Sequence, residues 1–68
     1  MTRYEQWEAL SQIARHHGLT AHDHFHYTYF VGRRVFHDPL SASVALLSAF
    51  DRVGIKYPPI LRERPEDL

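Results

Sequence analysis

The sequence predicts an α+β fold: a small α-β-β-α domain in which two helices pack on one face of a β-hairpin. Two segments have the apolar spacing and the end residues of helices. Between them lies Phe25 to Asp38, a stretch rich in aromatic and β-branched residues, which favour strands. The pair Gly32-Arg33 interrupts this stretch as a two-residue hairpin loop would.

The turn residues also predict the pairing of the hairpin. Glycine at the first central position suits a type II′ turn, which requires a positive φ there, and it places Val31 opposite Arg34. Successive strand residues point to opposite faces, so we expect one drier face beneath which the helices pack. That face contains Tyr27, Tyr29, Val31 and Phe36. The other face contains His24, His26, Thr28, Phe30, Val35 and His37.

The first helix is predicted from Arg3 to His17. Thr2 and Glu5 have the spacing of a capping box, in which each side chain bonds a backbone N–H at the start of the helix. Apolar residues recur on one side of this segment, as in an amphipathic helix. Gly18 follows, where a left-handed residue commonly ends a helix, and Leu19 can fold back on the last turn.

The second helix is predicted to start at Pro39, with Asp38 as its N-cap, and to end at Val53. Its apolar positions occupy well over half of the helical wheel. A two-stranded hairpin and one helix are too small to cover that surface. We therefore expect exposed apolar surface on this helix, which a partner or a second copy could cover.

Residues 1–57 are predicted to form the domain, and residues 58–68 an extended, charged C-terminal arm. Tyr57-Pro58-Pro59 favours a polyproline-like backbone, and the chain after Leu61 is dominated by charged residues and proline. We expect residues 60–68 to be mobile, and their removal to leave the fold standing.

Composition excludes several classes of protein. The 68 residues include no cysteine, which excludes disulfides and thiolate metal sites. Eight Lys and Arg balance eight Asp and Glu, so no net charge favours nucleic acid or an acidic membrane surface. No apolar run approaches the ~20 residues of a membrane span, and no secretory leader is evident. The expected location is the cytoplasm, without membrane contact.

Histidine is the residue type most suggestive of a ligand, because the chain contains six. His24 and His26 alternate along the predicted strand and His37 lies on the returning strand, so the three imidazoles share a face. Neutral imidazole binds zinc, and these three residues are the candidate metal site. The simpler interpretation is a solvent-facing strand surface without a cofactor.

A second hypothesis starts from the end of the first helix. The run Ala14, Gly18, Leu19 and Thr20 resembles the turn of a helix-turn-helix, and that resemblance implies an all-α three-helix domain and a DNA-binding regulator. The position where the next helix needs an apolar residue is His24, and the segment beyond it consists of strand-forming residues.

No enzymatic function is predicted, because no nucleophile with its base, no phosphate-binding loop and no paired carboxylates occur. The predicted function is a small regulatory module that binds a larger protein or forms a homodimer, through hairpin edges or through Leu40, Val44 and Leu47. Aromatic residues and arginine commonly anchor interfaces. The candidate partner-binding residues are Trp7, Tyr27, Tyr29, Arg33, Arg34, Phe36, Leu47 and Tyr57. For Trp7, Tyr29 and Phe36 the simpler interpretation is that they belong to the core.

Overall fold

The structure is a computed structural model that describes residues 1–24 and 27–65. The elements are helix α1 (Arg3–His16), strands β1 (Ala21–His24), β2 (Thr28–Val31) and β3 (Arg34–Phe36), helix α2 (Pro39–Val53) and a 3-10 helix (Pro59–Arg62). The strands form one antiparallel sheet in the order β1-β2-β3. Both helices pack on the same face of this sheet and against each other. The predicted α+β class is confirmed.

Both helices begin and end as their sequences predict. The Thr2 hydroxyl accepts from the Glu5 N–H, and the Glu5 carboxylate accepts from the Thr2 N–H, which completes the capping box of α1. Gly18, with φ 80°, lets the Leu19 N–H turn back to the carbonyl of Ala14 at 2.8 Å. Helix α2 ends in the same way at Gly54, where the Ile55 N–H bonds the Phe50 carbonyl at 2.9 Å.

The predicted hairpin forms between β2 and β3. Gly32 has φ 59° at the first position of the turn, and Val31 pairs with Arg34, as expected for this loop. Tyr29 pairs with Phe36 on the face toward the helices, and Phe30 pairs with Val35 on the outer face. The ladder ends at Phe36, so His37 is not a strand residue.

Strand β1 departs from the prediction of a two-stranded hairpin, which contained no third strand. Ala21 pairs with Val31 and His24 with Thr28, so a third strand lies on the far side of β2. The Arg15 guanidinium donates to the Ala21 carbonyl at 2.8 Å and ties the strand to α1. The three-helix alternative is therefore wrong, because the segment after Gly18 pairs as a strand.

The core lies between the two helices and the inner face of the sheet. The Trp7 ring meets the edge of the Tyr29 ring, with centroids 5.4 Å apart. The buried apolar residues are Trp7, Leu10, Ala14, Ala21, Tyr29, Ala42, Leu46, Leu47, Phe50 and Leu61.

The C-terminal segment also departs from the prediction. Residues Pro59–Arg62 form a 3-10 helix, and Leu61 is buried in the core. The Gln6 amide donates to the carbonyls of Leu61 at 2.8 Å and Glu63 at 2.9 Å. The expected extended backbone is wrong for these four residues, because proline fits the first turn of a helix and Leu61 gains an apolar site. Residues 66–68 of the predicted arm lie outside the described residues.

Tyr27 occupies the turn between β1 and β2, not the inner face predicted for it. Its φ is 58°, and it is 76% exposed because it lies outside the sheet, directly before β2. A left-handed backbone costs a residue with a Cβ about 1–2 kcal/mol. Tyr27→Gly should therefore raise the free energy of unfolding by about 0.5–1 kcal/mol, after allowance for the greater freedom of glycine in the unfolded chain.

Urea titration of Tyr27→Gly beside Tyr27→Ala separates the backbone effect from the loss of the ring. Alanine removes the same exposed ring and keeps the Cβ, so its midpoint should stay near that of the parent chain. A glycine variant less stable than the alanine variant would show that the left-handed conformation carries no strain.

Candidate functional site

The candidate site is the side of helix α2 that neither α1 nor the sheet covers. Leu46 and Phe50 on the inner side are fully buried, whereas Val44 is 55% exposed on the outer side. The Asp38 carboxylate caps the helix by accepting from the Ser41 N–H, and Pro39 occupies the first turn. The uncovered face contains Leu40, Ser41, Val44, Ala45 and Ser48. Of the three residues predicted to form the apolar excess of α2, Val44 is exposed, Leu40 is half-buried and Leu47 is buried.

A groove runs along one flank of this face, between α2 and β3. It comprises two cavities, of ≈ 430 and ≈ 200 Å³, which share Arg34, Ala45 and Ser48. Phe36 and Leu40 line the first cavity, and Val31 and Arg52 the second. We call the two cavities together the α2–β3 groove. It exists because β3 is the last strand of the sheet and leaves the outer flank of α2 uncovered.

A third cavity, of ≈ 320 Å³, lies on the other flank, between α2 and the C-terminal segment. Leu40 and Val44 line this cavity as well as the groove, so they form the ridge between them. Gln6 and Ser43 line it from beneath, and the Gln6 Oε1 and Ser43 Oγ atoms are buried without a hydrogen-bond partner among the described residues.

The surroundings of the uncovered face are positively charged. Arg34 and Arg52 line the groove, and Arg62 and Arg64 line the third cavity. Glu63 is the one acidic residue among the described residues that line these three cavities. Four of the eight basic residues of the chain therefore line these cavities.

The arginines that line the cavities differ in the contacts they already make within the domain. Arg62 donates to the Asp51 carboxylate and to the Tyr57 hydroxyl, and the first of these bonds holds the pKa of Asp51 below its ordinary value. The guanidinium of Arg34 lies 4.9 Å from the centre of the Phe36 ring. Within residues 1–24 and 27–65, neither Arg34 nor Arg52 forms an ion pair. These two side chains can therefore meet an acidic group without breaking an ion pair to any other described residue.

A second polar cluster surrounds Asp23, at the far edge of the sheet. Its carboxylate accepts from the Trp7 indole N–H at 3.2 Å and from the Tyr4 hydroxyl at 3.3 Å. The negative charge of Asp23 raises the pKa of Tyr4, and burial followed by that same charge raises the pKa of Tyr29. Both phenols therefore keep their protons at neutral pH, and the cluster ties β1 to α1.

The predicted histidine site is only partly described. His22 stacks on Phe30 with ring centroids 4.8 Å apart, and His24 meets the same ring edge-on at 5.3 Å. His37 lies exposed beyond the end of β3, and His26 is outside the described residues. No group of three metal-ligating side chains occurs within residues 1–24 and 27–65. The zinc site stays a prediction that depends on His26.

The structure separates the eight candidate partner-binding residues into two groups. Trp7, Tyr29 and Leu47 are buried, and Phe36 and Tyr57 pack partly buried against the core. Tyr27, Arg33 and Arg34 are exposed, and only Arg34 of these lines the groove. Sequence reasoning did not select the flanking residues Gln6, Ser43, Arg52 and Arg64. Helical spacing from Val44 would have found Arg52, whereas Gln6 and Arg64 reach the face only through folding.

Comparison with known proteins assigns no relative to this chain: no protein-family model, curated protein or solved structure matches it. Over the part of the chain that the structure describes, no helix has the length and apolar character needed to cross a membrane.

Proposed function

We propose that this chain is a small regulatory module that binds another protein through the uncovered face of α2. The observation that carries the proposal is the position of Val44. This side chain stands exposed on the ridge between two cavities, on a helix whose opposite side forms the core. Exposed apolar surface beside concave, partly polar surface is typical of protein-binding sites.

The size of an ordinary interface implies that a partner covers at least one flank in addition to the ridge. A specific complex buries about 800 Å² on each partner, which is roughly one sixth of the 4821 Å² exposed by this chain. The ridge of Leu40 and Val44 is too small to supply that area alone. A partner would therefore extend over the α2–β3 groove on one side or over the C-terminal segment on the other.

The test uses two valines that α2 itself provides. Val44 and Val53 are 55% and 57% exposed on the same helix, but Val53 lines none of the three cavities. Val44→Glu should abolish binding by placing a charge where the partner packs, whereas Val53→Glu should leave binding unchanged. Neither change should reduce stability by more than about 0.5 kcal/mol, because both side chains face solvent.

The measurement begins with co-purification of the parent chain and both variants from the native host. Any protein retained by the parent and by Val53→Glu, and lost with Val44→Glu, is then purified and titrated against all three chains by calorimetry. Light scattering of each chain alone tests a second copy as the partner, since a dimer through this face should dissociate only in Val44→Glu. Equal binding and equal mass for the two variants would refute the proposal.

A further inference from the structure

The open edge of the sheet beside the α2–β3 groove offers backbone hydrogen bonds. Strand β3 is an outer strand, paired only with β2. The Gly32 N–H bonds the Thr20 carbonyl at 2.9 Å, which fixes the alternation of bonds along β2. It follows that Tyr29 and Val31 bond toward β3, and that Arg34 and Phe36 bond back to β2. The N–H and carbonyl of Val35 consequently point away from the sheet, to the open edge.

An added strand at this edge would also cover the groove. Neighbouring strands lie about 4.8 Å apart, so a fourth strand beside β3 would run above the outer flank of α2. Its inward side chains would lie over the cavity of ≈ 430 Å³, which Phe36, Ala45 and Ser48 line. Its outward side chains would lie beside Val35, which is 49% exposed.

The charged residues of the groove indicate which kind of partner it would bind. Arg34 and Arg52 line it, and no acidic residue does within the part of the chain that is described. A second copy of this chain, paired through β3, would bring another Arg34 to the same edge. The like charges of the two arginines would repel each other. An acidic polypeptide would neutralise both arginines. Nucleic acid has the required charge but not the backbone donors and acceptors of a strand.

We propose that the edge of β3 binds an extended acidic segment of another protein as an antiparallel fourth strand, with carboxylates directed at Arg34 and Arg52. Main-chain bonds to Val35 supply the pairing, and the arginines supply the preference for acidic side chains. The inference rests on the proposed function, since Val44 and Ala45 belong to the same uncovered face. It adds the chemistry and the conformation of the partner segment.

The probe is the blocked heptapeptide Ac-EVEVEVE-NH2, whose alternation matches the two faces of the added strand. Its central valine falls opposite Val35, and its other valines lie on the same outer face. Its glutamates point inward, over the groove. We expect the Val35 amide resonance to shift on titration, and the affinity to exceed that of Ac-KVKVKVK-NH2 by about tenfold. This difference should shrink as salt rises from about 0.01 M to about 1 M, because added ions screen exposed charge pairs.

Two matched changes to the peptide test strand addition. In an antiparallel pair centred on Val35, the valine N–H groups of the probe point to β3 and the glutamate N–H groups point away. N-methylation of the central valine should therefore abolish binding, whereas N-methylation of an adjacent glutamate should leave most of it. Val35→Pro removes the donor on the protein side, at an edge position where proline is tolerated. If that variant fails to fold, the methylated peptides still decide the question.

Charge reversal tests the arginines. Arg34→Glu should reverse the preference between the two peptides, and Lys56→Glu, which changes the net charge equally outside the groove, should not. Equal affinity for both peptides, or equal loss from either N-methylation, would overturn the inference. So would an Arg34-dependent affinity for duplex DNA above that for the acidic peptide, or a dimer that shifts the Val35 amide without peptide. These outcomes leave the Val44 test intact, so the proposed function can stand when this inference fails.

Discussion

Replacement of Leu61 by alanine is expected to lower the free energy of unfolding by about 3 kcal/mol, because deletion of buried leucine side chains costs about 2–5 kcal/mol. Leu61 is only 4% exposed and packs in the core from the 3-10 helix. The total free energy of unfolding of a domain of this length is roughly 3–10 kcal/mol, so the loss would be a large fraction of it. Urea titration should show a lower midpoint of unfolding, with an unchanged slope of the free energy of unfolding against urea concentration.

The neighbouring residue supplies the control for this prediction. Ile60 is 56% exposed, so Ile60→Ala should change stability by no more than about 0.5 kcal/mol. A chain that ends at Pro58 loses Leu61 and also both carbonyls to which the Gln6 amide donates, and it should be less stable than Leu61→Ala. Equal midpoints for the two point variants, or a stable truncated chain, would show that the C-terminal segment is an arm outside the fold.

Local signals in the sequence were sufficient for most of the fold. The Thr2–Glu5 capping box, the Asp38-Pro39 start and the glycine helix ends each satisfy backbone groups within a few residues, so they act independently of the rest of the chain. The same is true of Gly32, whose positive φ sets the register of the hairpin. These features could be predicted because their physical causes are adjacent in sequence.

Two of the structural errors arose where a distant contact decides the conformation. Strand β1 has the sequence AHDH, which has low intrinsic preference for a strand. It forms because Ala21 is buried, Arg15 bonds its carbonyl, and Asp23 accepts hydrogen bonds from α1. The 3-10 helix is similarly stabilised by Gln6, which lies 55 residues before Leu61. Neither interaction leaves a local pattern.

The candidate site was predictable in kind but not in detail. The wide apolar surface of α2 indicated that part of the helix would remain uncovered, and Val44 is exposed as that argument requires. The basic flanks could not be derived, because Arg34, Arg52 and Arg64 come from three separate segments that only folding brings together. The proposed preference for an acidic partner rests on these arginines together with the apolar ridge.

Trp7→Ala is expected to leave the chain largely unfolded at room temperature, since removal of a buried tryptophan costs about 3–5 kcal/mol in a domain of small total stability. Trp7 is fully buried, meets the Tyr29 ring edge-on and donates to Asp23. Its loss leaves a large cavity and removes a donor from a carboxylate that fixes β1. Far-UV circular dichroism during thermal unfolding measures the effect without relying on tryptophan fluorescence.

Two further variants show that burial, not aromatic character, is the cause. Trp7→Phe keeps a six-membered aromatic ring but loses the pyrrole ring of the indole with its N–H, so its melting temperature should fall between those of the parent and Trp7→Ala. Tyr27→Ala removes another candidate anchor, but one that is 76% exposed, and should leave the melting temperature nearly unchanged. Both aromatics were candidate binding residues, and Trp7 was also a candidate core residue; its full burial and the exposure of Tyr27 give the two variants different expected effects. A folded Trp7→Ala chain that loses only partner binding would place Trp7 at the interface instead of the core.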